Sequence, residues 1–135
     1  MSQQTIRAYF EGKLATWAAA HSPVVKVAYE GKAFTPPTSG IYAECYLMPA
    51  YTMNPFVSAT HKREGGIFQV TFVSFETNGT KALYDMAQEI VNLFPVVPKD
   101  NAVSVEQTPH IAKVFKSEAG KIVLPVSITY RLESV

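Results

Sequence analysis

The C-terminal part of the chain alternates between large apolar residues and other residues over an unusually long run. In KIVLPVSITYRLE, residues 121–133, a large apolar side chain occupies every second position from Ile122 to Leu132. Because successive side chains of a β-strand point to opposite faces, this period of two predicts a long strand with one buried face. Pro125 cannot donate a ladder hydrogen bond, so we expect this strand to lie at a sheet edge or to carry a bulge there.

Two other segments repeat apolar residues with the period of a helix. The first spans residues 2–21, and the second spans residues 80–94 and is followed by Pro95. Their apolar positions are spaced three or four residues apart, which predicts amphipathic helices that pack against a core. These positions are Ile6, Phe10, Leu14 and Trp17 in the first segment, and Leu83, Met86, Ala87, Ile90, Val91 and Phe94 in the second.

Further strands are predicted between and after the helices. They cover residues 24–31, 41–49, 56–62, 67–75, 103–107 and 110–116. Residues 50–55, AYTMNP, interrupt the strand pattern, and THKREGG, residues 60–66, reads as a hairpin turn whose glycines permit unusual backbone angles. The chain is therefore predicted to be one α+β domain over residues 1–135, with two helices packed on one face of a mostly antiparallel or mixed sheet of five to seven strands.

The composition excludes several function classes. Twelve basic residues stand against eleven acidic ones, which leaves a formal charge of +1 and no global field to attract nucleic acid or anionic lipid. No segment has the roughly 18 consecutive apolar residues of a membrane span, and the N-terminus lacks the apolar centre of a signal peptide. Charged residues make up only 17% of the chain, which favours a surface that contacts other protein.

Residues able to carry out chemistry are few and scattered. Cys45 is the only cysteine, and its position inside a predicted strand favours a small core residue over a nucleophile. His61 and His110 have no Ser, Cys or carboxylate at a recognised catalytic spacing, and His21 is expected to cap a helix end, where its charge suits the helix dipole. No zinc, calcium or phosphate-binding motif is present. We therefore expect no catalytic residue, no metal site and no cofactor.

Tyrosines on the predicted second strand leave two further possibilities open. Tyr42, Tyr46 and Tyr51 could stack bases, but basic residues are not interleaved with them, so a protein-contact surface or an edge of the core is favoured over RNA binding. A small-molecule binding or hydrolytic domain would use Tyr42, Tyr46, Glu44 and His61. That hypothesis requires an enclosed pocket with a perturbed titratable group.

Four segments stand in a characteristic order along the chain: FEGKLATWAA in the first helix, AFTPP in the loop after it, REGGIFQVTFV, and NGTKALYDMAQEIVNLF. This order resembles that of the tail terminator proteins of long-tailed bacteriophages. In that family an Arg-x-Gly turn enters a strand of alternating residues, and a Gly then opens a helix that ends in Phe. Arg63, Gly65, Gln69, Val70, Gly79 and Phe94 occupy these positions here.

The resemblance implies a structural protein of the virion without catalytic residues. Such a protein assembles in the host cytoplasm as a ring, usually a hexamer, on the head-proximal end of the tail tube. Its expected partners are further copies of itself, the tail-tube protein and a head-completion protein, with no membrane and no sequence-specific nucleic acid. Another neck or head–tail joining component remains the alternative within virions. Unlike patches for ring contacts are expected at His61, Lys62, Arg63, Glu64, Tyr51 and Phe34.

Overall fold

The computed structural model describes residues 3–21, 25–35, 40–53, 62–75, 80–96, 103–116 and 120–134. These residues form two helices and a sheet of seven strands. In chain order the elements are α1 Gln3–Ala20, β1 Lys26–Ala28, β2 Tyr42–Met53, β3 Lys62–Phe75, α2 Lys81–Leu93, β4 Val103–Val105, β5 His110–Ile111, β6 Phe115–Lys116 and β7 Lys121–Ser134.

Three long strands, β2, β3 and β7, make up the centre of the sheet. β3 pairs antiparallel with β2 on one side and with β7 on the other. β1 adds a short parallel edge beside β2, while β4, β5 and β6 follow one another along the far side of β7. The sheet is therefore mixed, and the predicted α+β class is confirmed.

Both helices contribute to one core on a single face of the sheet. Phe10 of α1 stacks on Phe68 of β3, with ring centroids 4.8 Å apart, and also contacts Phe94 at the end of α2. On β7 every even-numbered residue from Ile122 to Leu132 is buried on this face, and the odd-numbered ones are partly exposed. We call the other side of β2, β3 and β7 the open face.

The predicted helices are confirmed to within a residue or two at each end. Ile6, Phe10 and Leu14 are fully buried on α1, and Trp17 packs at the border of the core. On α2 the buried residues follow the predicted spacing, and Pro95 comes directly after the C-cap residue Phe94. Because both apolar stripes meet the same sheet face, the helical period identified core residues correctly.

The edge position and the bulge predicted for the last strand are both wrong. β7 pairs with β3 along its whole length, and the register is unbroken through Thr71 and Pro125. On the other side of β7, the N–H of Ala112 donates to the carbonyl of Pro125 at 2.9 Å. Pro125 has no N–H with which to donate a second hydrogen bond to Ala112. The pairing of β5 with β7 therefore stops at this residue, and pairing resumes only at β6.

The hairpin turn predicted at residues 60–66 is also wrong. Residues 62–66 belong to β3, and the strand predicted at residues 56–62 lies outside the described residues except for Lys62. Gly66 is required by close packing rather than by a turn. A Cβ atom there would lie 2.4 Å from the carbonyl oxygen of Met48 and 2.8 Å from the hydroxyl of Tyr130.

The second strand continues beyond its predicted end. β2 runs to Met53, and the register shifts between Pro49 and Tyr51 as in a β-bulge, so that Pro49 pairs with Gly66 and Tyr51 with Gly65. The extra residue, Ala50, brings its backbone nitrogen within 2.9 Å of where a Gly66 Cβ would be. A bulge thus carries the strand through the break in the sequence pattern.

Candidate interaction surfaces

The charged residues predicted to form one interface patch lie in the first residues of β3. Lys62 begins the strand, Arg63 pairs with Met53 and Glu133, and Glu64 pairs with Thr52 and Leu132. His61 lies outside the described residues.

Neighbouring residues of an extended strand point to opposite faces. Arg63 therefore lies on the open face, and Glu64 lies on the face that carries the helices. The predicted charged patch is divided between the two sides of the sheet.

The predicted aromatic contact residues are far apart. Tyr51 pairs with Gly65, close to Arg63 and Glu64, whereas the ring of Phe34 lies 5.7 Å from that of Tyr42 at the opposite end of β2. The nine residue steps from Tyr42 to Tyr51 correspond to roughly 30 Å of strand. The structure brings Tyr51 near the charged residues and places Phe34 elsewhere.

Glu64 has an unusual environment for a carboxylate. Its Oε2 atom is buried and has no hydrogen-bond partner among the described residues, although the residue as a whole is partly exposed. An unpaired buried polar atom costs free energy. Its position on the covered face makes Glu64 less suited to a solvent-exposed rim than Arg63.

The tyrosines of the small-molecule hypothesis make structural contacts. Tyr42 is 4% exposed and accepts a hydrogen bond from Lys121 Nζ at 3.3 Å. The Tyr46 hydroxyl donates to Glu44 Oε1, also at 3.3 Å. Burial, and next the Glu44 carboxylate, raise the pKa of the Tyr46 phenol, which keeps its proton at neutral pH. Such a phenol is a hydrogen-bond donor rather than a base.

The open clefts beside α1 do not include those residues. One cleft, of about 380 Å³, lies between α1 and the end of α2 and is lined by Gly12, Lys13, Thr16, Trp17, Ala20 and Leu93. The other, of about 320 Å³, lies between α1 and the turn after β1. Neither cleft brings Tyr42, Tyr46 and Glu44 around one enclosed space.

Cys45 is a core residue on the helix-covered face of β2. It is 1% exposed, and its thiol donates a weak hydrogen bond to the carbonyl of Ala28 at 3.8 Å. Burial, followed by the negative charges of Glu11 and Glu30, raises the pKa of the Cys45 thiol to about 12. The thiolate needed for nucleophilic chemistry is therefore scarce at neutral pH.

Metal and membrane sites were also sought in the part of the chain that the structure describes. There, no group of three or more His, Cys, Asp or Glu side chains is placed to hold a metal ion. None of the described helices has the length and apolar character needed to cross a bilayer.

The open face carries an uncharged, largely apolar surface around Tyr46 and Met48, and of its members sequence reasoning singled out only Tyr46 as a protein contact. Tyr46 and Met48 of β2 are 39% and 41% exposed. Each begins a cross-strand row: Tyr46 with Gln69 and Ser127, and Met48 with Ile67 and Thr129. We call Tyr46, Met48, Ile67 and Gln69 the open-face patch. No residue of this patch is charged. In the sequence, the patch was indicated by apolar residues at both the odd and the even positions of β2.

Two comparisons with known proteins extend this description, and a third finds nothing. No curated protein matches the chain. One solved structure, whose name states no function, is similar with a TM-score of 0.81 and 32% identity, over 100% of this chain and 98% of its own. The family model described as phage tail terminator protein matches residues 5–130. Because that match covers most of the chain, this protein belongs to the phage tail terminator family and is a structural component of phage tails.

Proposed function

We propose that this protein assembles as a hexameric ring on the head-proximal end of the tail tube. There it stops further polymerisation of the tube and offers a surface to the head-completion protein. The observation that carries the proposal is the family match over residues 5–130. The role is structural rather than catalytic, and its partners are further copies of the chain, the tail-tube protein and the head-completion protein.

A ring of identical subunits requires two unlike surfaces on each copy, because one patch must meet a different patch on its neighbour. The open-face patch suits one of these surfaces. It is partly exposed, uncharged and carried by the long strands β2 and β3, whose mutual register is fixed over eleven residue pairs. Aromatic and Met side chains held on a rigid surface are typical anchors of protein interfaces.

Arg63 supports the same assignment as a rim residue. It lies on the open face near the start of β3, and it is partly exposed. A charge at the rim of an apolar patch mainly sets orientation and partner choice, while the apolar anchors supply most of the affinity. Of the residues predicted as ring contacts, Arg63 is therefore the best placed to act beside the patch.

Deletion of the gene in its phage tests the function. We expect tails of uncontrolled length, or tails that fail to join heads, because nothing would stop the tube or present a joining surface. Negative-stain microscopy of the lysate would measure tail length and head attachment, and supplying the intact gene in trans should restore both. Normal infectious particles from the deletion would contradict the proposal.

Cryo-electron microscopy of the complete virion tests the position of the ring. A ring of this protein seated on the tube end supports the proposal. Density for the chain at the portal, away from the tube, would instead make it a head–tail joining component.

A further inference from the structure

The outer edge of β2 is protected over part of the stretch that β1 leaves uncovered. β1 pairs only with residues Tyr42, Ala43 and Glu44, while β2 continues to Met53. The unpaired backbone groups of such an edge can pair with a strand of another molecule, which leads to uncontrolled association. Among the described residues, three successive features along this edge hinder such pairing.

The first feature is the side chain of Glu30, which occupies a backbone donor of β2. The N–H of Leu47, which points away from β3, donates to Glu30 Oε1 at 2.6 Å. A hydrogen bond to a carboxylate is stronger than one between neutral groups. An incoming strand would have to displace this carboxylate before it could use the Leu47 donor.

The turn after β1 and a cation from α1 hold Glu30 in position. Lys32 N–H donates to the carbonyl of Tyr29 at 3.2 Å, and Gly31 adopts a φ of 78°, a left-handed conformation that favours glycine. Arg7 lies 3.6 Å from Glu30 Oε1 and 3.8 Å from Glu11 Oε2. Of these two carboxylates, Glu30 is the one that accepts the β2 backbone donor.

A proline and a β-bulge hinder strand pairing at the next two positions on the edge. Pro49 lies two residues after Leu47, on the same side of the strand, and has no N–H to offer. The bulge between Pro49 and Tyr51 then shifts the register of the strand. Proline and bulges are both devices by which natural sheets prevent edge-to-edge pairing.

We propose that Glu30 is an edge guard, which keeps β2 of one free subunit from pairing with a strand of a second copy. Assembly contacts are thereby directed to the faces of the sheet. This inference does not depend on the tail-capping role, because it concerns the behaviour of the isolated subunit.

The test compares Glu30→Ala with Glu11→Ala. Both substitutions remove a carboxylate that contacts Arg7, but only the first frees the Leu47 N–H. Analytical ultracentrifugation over a range of concentrations, with infrared spectra of intermolecular β-structure, would measure self-association. We expect Glu30→Ala to associate roughly tenfold more tightly than Glu11→Ala, the equivalent of about 1.4 kcal/mol. Equal association of the two variants would overturn the proposal.

Two further variants keep the test decisive if Glu30→Ala does not fold. Glu30→Gln retains an acceptor for Leu47 and should associate as the unaltered protein does. Pro49→Ala adds an edge N–H while leaving Glu30 in place, so it should raise association through intermolecular β-structure. If Glu30→Gln associates more strongly than the unaltered protein, or if Pro49→Ala associates no more than the unaltered protein, the edge-guard role is overturned.

Discussion

At the scale of single residues, the packing at Gly66 explains why a glycine stands there, although its sequence context suggested a turn. Two consecutive glycines after charged residues are typical of turns, because glycine adopts backbone angles that other residues avoid. Here the glycine is needed because the bulged part of β2 and the Tyr130 hydroxyl approach β3 too closely for a side chain. Only the cross-strand partners, which are distant in sequence, make that requirement visible.

Gly66→Ala is predicted to destabilise the protein by about 1–3 kcal/mol, because the added methyl group would overlap backbone atoms of β2 that cannot easily move. Chemical denaturation monitored by circular dichroism would measure the free energy of unfolding. Gly12→Ala is the matched control: nothing lies within 4 Å of its Cβ position, and it lies inside α1. This control should stabilise by about 0.5–1 kcal/mol. A Gly66→Ala protein as stable as the unaltered one would contradict the packing account.

At the scale of elements, a carboxylate joins the two helices outside the core. Glu89 of α2 accepts a hydrogen bond from Trp17 Nε1 at 3.2 Å through Oε1, and its Oε2 lies 3.3 Å from His21 Nε2. Trp17 and His21 lie at the end of α1, so this cluster fixes where that helix end meets α2. The helical periods predicted each helix separately, but a period describes only one helix and contains no information about its partner.

Replacing Glu89 with Ala should weaken the docking of α1. The expected loss in the free energy of unfolding is about 0.5–1 kcal/mol, because two contacts disappear, and solvent weakens both of them in the unaltered protein since the Glu89 carboxylate is exposed. Gln88→Ala is the control, since the Gln88 side chain bonds to Asn92 within α2. Thermal unfolding of both variants measures the difference, and equal midpoints would show that the Glu89 contacts contribute nothing.

At the scale of the whole molecule, the two faces of the sheet have different roles. One face is covered by α1 and α2 and forms the core, and the other carries the open-face patch. The edge of β2 beyond β1 carries the Glu30 contact, and the described short strands β4, β5 and β6 cover the far side of β7. We therefore propose the open face as the route to an assembly.

Met48→Lys is predicted to impair tail completion strongly while leaving the fold intact. Met48 is 41% exposed, so the free energy of unfolding should change by no more than about 0.5 kcal/mol. A buried charge in the assembled contact should lower the yield of infectious particles by roughly tenfold or more. Titre measured by complementation of the deletion phage tests this, and Met48→Leu, which keeps the surface apolar, should complement normally. Full complementation by Met48→Lys would rule out the patch as a contact surface.

Prediction from sequence succeeded where a repeating pattern belongs to one element. The periods of α1, α2 and β7 depend only on the geometry of a helix or a strand, so they identified these elements and their buried residues, including Phe10, Leu83 and Leu124. The same patterns predicted the α+β class, because two amphipathic helices and a set of strands must share one core. The order of motifs indicated the family that the comparisons then showed.

The tertiary structure decided everything that depends on which strands are neighbours. It placed β7 in the centre of the sheet despite Pro125, because the missing N–H falls where the strands on that side are interrupted. It separated Arg63 from Glu64, because both lie in an extended strand rather than a turn. It also brought Glu30 to the edge of β2. These outcomes follow from pairing between distant segments, and local periodicity carries no information about such pairing.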